Sequence, residues 1–510
     1  MKLRTLALLL TAAISISNQV CAQQSIQKVR TYRQVNEQKI MAEYFDFLAI
    51  PNVFNDTPNI QRNISFIQKM MESRGIPVKL LGGTTPGVSK AVMGRISVPG
   101  ATQTIGFYAH YDGQPVNPKQ WASGLEPFKP VFITAPIESG GKILGGYQPG
   151  QAIQPDWRIS GRGSADDKAG VMTILNAYEA LIKSGHTLKH NLIFLFEGEE
   201  EDGSTHLNEI FEEHKKDLQA DCWIVSDGPR HVSGKKSVVF GVRGDVNVAL
   251  TVYGPKRPLH SGNYGNWAPN PARMLVELLA GMKNSEGRVL IPGFYDDVIP
   301  LSALEKEALT RVPDIEPTLK KELGIVEPEG GARGFLELLH QPTLNINGIA
   351  SANVGKMASN IIPAKAEAVI DLRLVLGNDA ARQVEKVKQY IRSKGYHILD
   401  REPTDADRAT YPKLIRVSDG TGYNAQRTPM DLPIAKQVVK AVQSSTSDQV
   451  VLLPSAGGSL PLYLFEQILG TKVITIPVVN YDNNQHAENE NVVVSFLWEG
   501  IETMAALMLL

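Results

Sequence analysis

Two cysteines in 510 residues cannot build a disulfide framework, and one of them, Cys21, lies close to the amino terminus. If the leading segment is removed, Cys222 stands alone and no internal disulfide can form, even in an oxidising compartment. Flanked by apolar residues, it reads as core packing. Neither sign of charge dominates: 52 basic residues face 53 acidic ones, a formal −1. Without Lys2 and Arg4 the balance is 50 basic against 53 acidic, or −3. Basic runs are missing too, which argues against nucleic acid and anionic membrane as partners. Long apolar runs are confined to residues 6–16. With Lys2 and Arg4 ahead of it and Val20-Cys21-Ala22 behind, that run reads as a secretory signal peptide over residues 1–22, too short to span a membrane. The expected product is exported, periplasmic or secreted, after cleavage behind Ala22. A lipid anchor on Cys21 is the lesser alternative, since Asn18-Gln19-Val20 is a poor lead-in. Asn55-Asp56-Thr57 and Asn63-Ile64-Ser65 match the glycosylation pattern formally and carry little weight.

What remains, 43% hydrophobic and 21% charged, describes an ordinary globular chain long enough for two or three domains. Its organising stretch is Gly161-Arg162-Gly163-Ser164-Ala165-Asp166-Asp167-Lys168-Ala169-Gly170. The glycines allow turns that a side chain would obstruct. Val171, Ile174, Leu175, Tyr178, Leu181 and Ile182 then follow at helical spacing. Two carboxylates therefore open a helix, where they can cap it or hold a metal ion. Around this stretch, helices are expected over 25–47 and 60–74, and strands over 78–81, 91–98, 104–109, 191–196 and 222–225. Residues 113–160, rich in Gly and Pro, read as a surface excursion too long to be idle. Strands alternating with helices indicate an α/β fold, a mostly parallel sheet flanked by helices.

Near Gly241 the pattern changes to apolar–polar alternation over 246–253, then a helix over 271–282, strands over 344–348 and 366–376, and a helix over 380–394. That order predicts a smaller α+β domain over 241–420, inserted between catalytic parts 23–240 and 421–510. A helix over 435–444, the loop Gly457-Gly458-Ser459 and a strand over 473–479 return to the α/β style.

Several strand ends and helix starts run into potential ligands. They supply His110 and Asp112, Asp166, Glu200 and Glu201, Asp227, and His486. In an open parallel sheet the carboxyl ends of strands face one crevice, which would gather these side chains. Two imidazoles and three carboxylates suit a pair of borderline divalent ions such as zinc, with one carboxylate bridging. Two such ions can share a water, lower its pKa and polarise a scissile carbonyl. Glu200 can then take the proton and pass it to a leaving amine. Asp112, two residues after His110, can fix the imidazole's tautomer. The plainer readings are that Asp112 closes a turn and that Glu197 and Glu199 are either solvated or stand behind the ligands. His186, His190, His206, His214, His231, His340 and His397 fit no such pattern and read as structural.

On His110-Tyr111-Asp112, the 161–168 loop, Glu200-Glu201-Asp202-Gly203-Ser204, Ser226-Asp227 and His486-Ala487-Glu488-Asn489-Glu490, the chain resembles the dinuclear zinc peptidase and deacylase family of carnosinase, carboxypeptidase G and acetylornithine deacetylase. The resemblance implies that His110 and Asp227 hold one zinc, that Glu201 and His486 hold the other, and that Asp166 bridges. It further implies that Glu200 is the base, that Asp112 orients His110, and that a cis peptide joins Asp166 to Asp167. The inserted domain then resembles a lid and dimerisation domain of a homodimer. Its His260 would steady the oxyanion, usually from the partner subunit. Asn360 and Arg373 would meet a substrate carboxylate, with Gly458 and Ser459 bordering the substrate. Arg373 and His260 have plainer readings as a strand-surface residue and a loop residue. Asp227, where carboxypeptidase and deacylase relatives tend to carry Glu, tilts the reading toward a dipeptidase or aminopeptidase acting on small peptides. The rivals are an amidohydrolase of N-acyl amino acids on the same site and a non-catalytic binding protein.

Overall fold

In the computed structural model, residues 2–82, 91–420 and 422–510 are described, residues 2–23 by backbone alone. Strand Thr104–His110 is buried at six of its seven positions, as expected where both faces of a sheet are covered. It lies inside an eight-stranded sheet ordered Val78–Leu81, Ala91–Ile96, Asn191–Glu197, Thr104–His110, Cys222–Val225, Lys472–Thr475, Ser237–Val239 and Val451–Leu453. The central four strands pair in parallel, while Val78–Leu81 and Ala91–Ile96 add antiparallel pairings at one edge. Parallel pairing aligns the carboxyl ends, and the register sets His110 directly beside Glu197.

Helix Lys168–Lys183 crosses behind this sheet, buried at every position from Lys168 to Leu181. Gly170 has a steric reason: a Cβ there would come within 2.6 Å of the Asp167 carboxylate and the Ser226 carbonyl. Lys168 buries its ammonium group and donates to the Phe47 and Ile50 carbonyls, both at 2.7 Å. It thereby ties the helix start to the end of the long helix Lys2–Leu48. That helix extends the expected one toward the amino terminus, and the presumed cut behind Ala22 falls inside it. The side chains of residues 1–22 lie outside the described ones. Among the described residues no helix is long and apolar enough to cross a membrane.

The excursion over 113–160 is not all loop. Asn491–Val493, Arg158–Ser160, Val131–Ile133 and Ile143–Gly145 form, in that order, a four-stranded sheet. Each is three residues long, too short to register as alternation amid glycines and prolines.

Residues 244–419 hold a second sheet, ordered Thr343–Ala350, Lys365–Leu374, Gly244–Tyr253, Leu414–Asp419 and His397–Leu399. It is antiparallel except for the last pair. Val246, Val248 and Leu250 turn inward with Ile370 and Leu372, and pack against helices Pro271–Ala280 and Ala380–Ser393 as a separate core. The alternate positions, Asp245, Asn247, Asp371 and Arg373, stay off that core. The chain passes between the two sheets at Gly241–Val242, which pairs with Gln426–Arg427.

Candidate metal centre

The two adjacent aspartates divide the work that the sequence left open between them. Asp167 is the helix cap: its Oδ1 accepts from the Gly170 amide at 3.0 Å, and its Oδ2 from the His110 amide at 3.3 Å. Asp166 faces the other way, across a cis peptide bond between the two residues. Its Oδ1 lies 3.0 Å from His110 Nε2 and its Oδ2 lies 2.9 Å from His486 Nε2. One carboxylate therefore spans two imidazoles that stand 376 positions apart in the sequence.

Asp166 is held in place by Glu490. That buried carboxylate accepts from the amides of Gly163, Ala165 and Asp166 at 3.1, 2.8 and 3.0 Å, and from Arg162 Nη1 at 2.6 Å. The sequence quoted Glu490 only as the end of a motif, without a role. Four hydrogen bonds now give it one.

Two sets of donors lie close enough for each to share an ion: His110, Asp167 and Asp227, and Asp166, Glu201 and His486. Asp167 was not among the expected ligands. Glu201 Oε2 sits 3.2 Å from His486 Nε2 and accepts from Gln114 Nε2 at 2.9 Å. Gln485 Nε2 donates to Asp166 Oδ2 at 3.2 Å. Glu200 Oε2 is 3.8 Å from His110 Nε2. Asp112 does more than close a turn. It approaches His110 Nδ1 at 3.3 Å and accepts from the amides of Glu200 and Glu201 at 3.2 and 3.0 Å, so it shapes the acidic turn beside the ring. Glu197 is buried rather than solvated, and takes a hydrogen bond from the Tyr108 hydroxyl at 2.5 Å. Glu199 pairs with His206 at 2.8 Å.

The electrostatics ask for a cation. Burial, aided by neighbouring acids, holds Asp167 and Glu200 well above the usual carboxylate range and Asp227 up at about 6. Burial likewise pushes Glu197 up to about 7. Burial also opposes a charged His110, but hydrogen bonds to Asp112 and Asp166 outweigh it and hold the ring well above its ordinary value. Hydrogen bonds to Asp166 and Glu201 raise His486 to about 10. Those two histidines hold Asp166 below the usual carboxylate range, against the effect of its burial. Among the described residues no lysine or arginine pairs with Asp166, Glu200, Glu201 or Asp227. Buried charges are paired or bind metals, and nitrogen and oxygen donors of this kind suit borderline divalent ions. The residues present fit such ions.

Not every expected residue comes to this cluster. His260 is exposed on a short ladder with Ile361–Ile362, where its Nδ1 accepts from the Gly262 amide at 3.1 Å. Asn360 is also exposed, and its carbonyl accepts from the Ser261 amide at 3.0 Å. The two lie beside each other, but within one chain neither bonds to the acidic cluster. Arg373 and Ser459 do meet at the seam between the sheets, Nη1 donating to Oγ at 2.8 Å. The Gly458 carbonyl accepts there from the Arg243 amide at 3.2 Å. Asp371 and Asp245 flank the Arg373 guanidinium at 3.3 and 3.6 Å. Tyr423, which no sequence signal marked, is half-buried at the same seam, its backbone paired with Asp245. Its phenol is pushed upward by burial and then by the charges of Asp245 and Glu200.

The Cys-Gly metallodipeptidase of Candida albicans is 28% identical to this chain over 486 residues, covering 90% of this chain and 91% of that one. The human Beta-Ala-His dipeptidase is 24% identical over 445 residues, 85% of this chain and 80% of its own. A solved structure of an M20 family metallo-carboxypeptidase from Sulfolobus solfataricus superposes with a TM-score of 0.75 at 26% identity, covering 92% of this chain and 98% of that one. These relatives also correct the expected address. The long matches to yeast Cys-Gly metallodipeptidases give no support to a periplasmic or secreted protein. A short apolar run also occurs within a helix such as Lys2–Leu48, so it does not by itself specify export. Residues 106–510 match the Peptidase family M20/M25/M40 and take in every donor described above. The chain belongs to that family and is a metal-dependent peptidase.

Proposed function

We propose that this chain is a dipeptidase working through two divalent ions, with zinc the best match to the donors. His110 and Asp227 would hold one ion, Glu201 and His486 the other, and Asp166 both. The observation that carries this reading is the Asp166 carboxylate, with one oxygen 3.0 Å from His110 and the other 2.9 Å from His486. The printed activities of the relatives support a dipeptide substrate.

When bound, a pair of ions lowers the pKa of a shared water and polarises the scissile carbonyl. The chain supplies the rest. Glu200, kept protonatable by its buried setting, takes a proton from the attacking water and delivers it to the departing amine. Asp112 keeps His110 in one orientation. Arg373, already steered by Ser459, offers its planar fork to the substrate carboxylate, with Gly458 beside it. Residues 23–240 and 421–510 form the catalytic part and 241–420 the lid. His260 and Asn360, exposed in one chain, are read as reaching the cleft of a second copy across a homodimer.

Purified Glu200→Gln should retain its metal while turnover of a dipeptide panel falls by roughly 10²–10⁴-fold. Near-normal turnover would remove Glu200 as the base. The same panel should show dipeptides preferred over N-acetyl amino acids, and the opposite preference would make the chain an amidohydrolase on this centre.

A further inference from the structure

The loop carrying His486 is held from outside the centre. Asn484, His486 and Asn489 have φ of 56°, 63° and 61°, the left-handed region that residues with side chains seldom adopt. Such a run keeps its shape only where the surroundings over-determine it. Asn489, 6% exposed, uses both ends of its amide for this. Its Oδ1 accepts from the Ala122 amide at 2.9 Å, and its Nδ2 donates to Glu138 Oε1 at 2.6 Å. The same Glu138 oxygen accepts from Asn484 Nδ2 at 3.3 Å. One carboxylate thus closes both ends of the loop, with His486 between them.

Both outside contacts come from the 113–160 excursion. Glu138 sits on the single turn Ile137–Ser139, and Ala122 follows Trp121, which packs with Leu125 and Ile133 in a small core of their own. The two histidines differ sharply in what else secures them. The His110 side chain is 1% exposed and sits on a central strand, whereas that of His486 is 54% exposed on the loop.

We infer that Glu138 is a positioning residue for the His486 half of the centre, so that the 113–160 stretch sets the affinity for that ion far more than for the other. This rests on the two-ion reading above. Partners that orient metal ligands are worth about 10–100-fold in affinity when removed, and an exposed carboxylate belongs near the lower figure.

The test is calorimetric titration of the metal-stripped full chain with Zn²⁺. Wild type should bind in two steps. Glu138→Ala should weaken one of them by about tenfold and the other by much less. Glu138→Gln, which keeps an acceptor oxygen, should recover most of the loss, and the metal-free melting temperature should not move. Two wild-type steps that Glu138→Ala leaves alone, or weakens equally, overturn the inference and spare the two-ion reading. So does a fall in the metal-free melting temperature, which would mark a merely structural residue. A single wild-type step overturns both.

Discussion

Glu490 shows how a residue outside both donor sets can hold this centre in place. Its carboxylate is fully buried with Arg162, and three amides of the loop before Asp167 converge on it. Removing one partner of a buried ion pair strands the other charge, at a cost of about 3–5 kcal/mol. Glu490→Gln, which keeps the shape and loses the charge, is therefore expected to lower unfolding stability by about 3 kcal/mol and to weaken metal binding through Asp166. Urea denaturation checks it, and a loss below about 1 kcal/mol would show that the pair behaves like a surface contact. The sequence named His110, Asp166, Glu200, Glu201, Asp227 and His486 because each follows an apolar run or a glycine-rich turn. It missed Tyr423, whose site forms only where the second sheet meets the first. It also left Glu490 without a role, since nothing in a chain of letters reports which amides a carboxylate will collect.

Among the elements, legibility followed length and burial. The parallel strands Thr104–His110, Asn191–Glu197 and Cys222–Val225 are nearly continuous apolar runs ending in polar residues, so both the strand and its functional end could be read. Helix Lys168–Lys183 was equally plain, from its cap to its apolar periodicity. The excursion was not, because its strands are three residues long and one of them, Arg158–Ser160, pairs with Asn491–Val493, more than 300 residues away. Lys168 was quoted only within the organising motif, because its burial against the Phe47 and Ile50 carbonyls depends on a helix end outside its own segment. The motif residues His260 and Asn360 were recognisable, but a motif carries no distances, and in one chain both are exposed and bond to each other's segment rather than to the donors. The apolar start of the chain was read as an exported leader for a related reason: composition reports that a run is apolar and is silent on what it joins.

For the whole molecule, the centre couples metal, proton and stability. Asp227 rises from 3.8 to about 6 and His486 from 6.5 to about 10 on folding without metal. In both cases the metal-free folded state binds more protons than the unfolded chain, between pH about 4 and 6 for the first and about 6.5 and 10 for the second. Stability contributed by these groups is therefore full below those windows and falls as pH rises through them. Asp167, Glu200 and His110 carry the same sign. Divalent ions replace those protons, so their stabilising effect should grow with pH. The gap in melting temperature between metal-loaded and metal-stripped protein is expected to be wider at pH 8 than at pH 5, and an equal gap would contradict the linkage.

The most direct examination of the proposed two-ion centre is anomalous diffraction from zinc-loaded crystals, collected on both sides of the zinc absorption edge. Two peaks about 3.5–4 Å apart, one beside His110 and Asp227 and one beside Glu201 and His486 with Asp166 between them, are the predicted result. A single peak, or two that do not share Asp166, would contradict it.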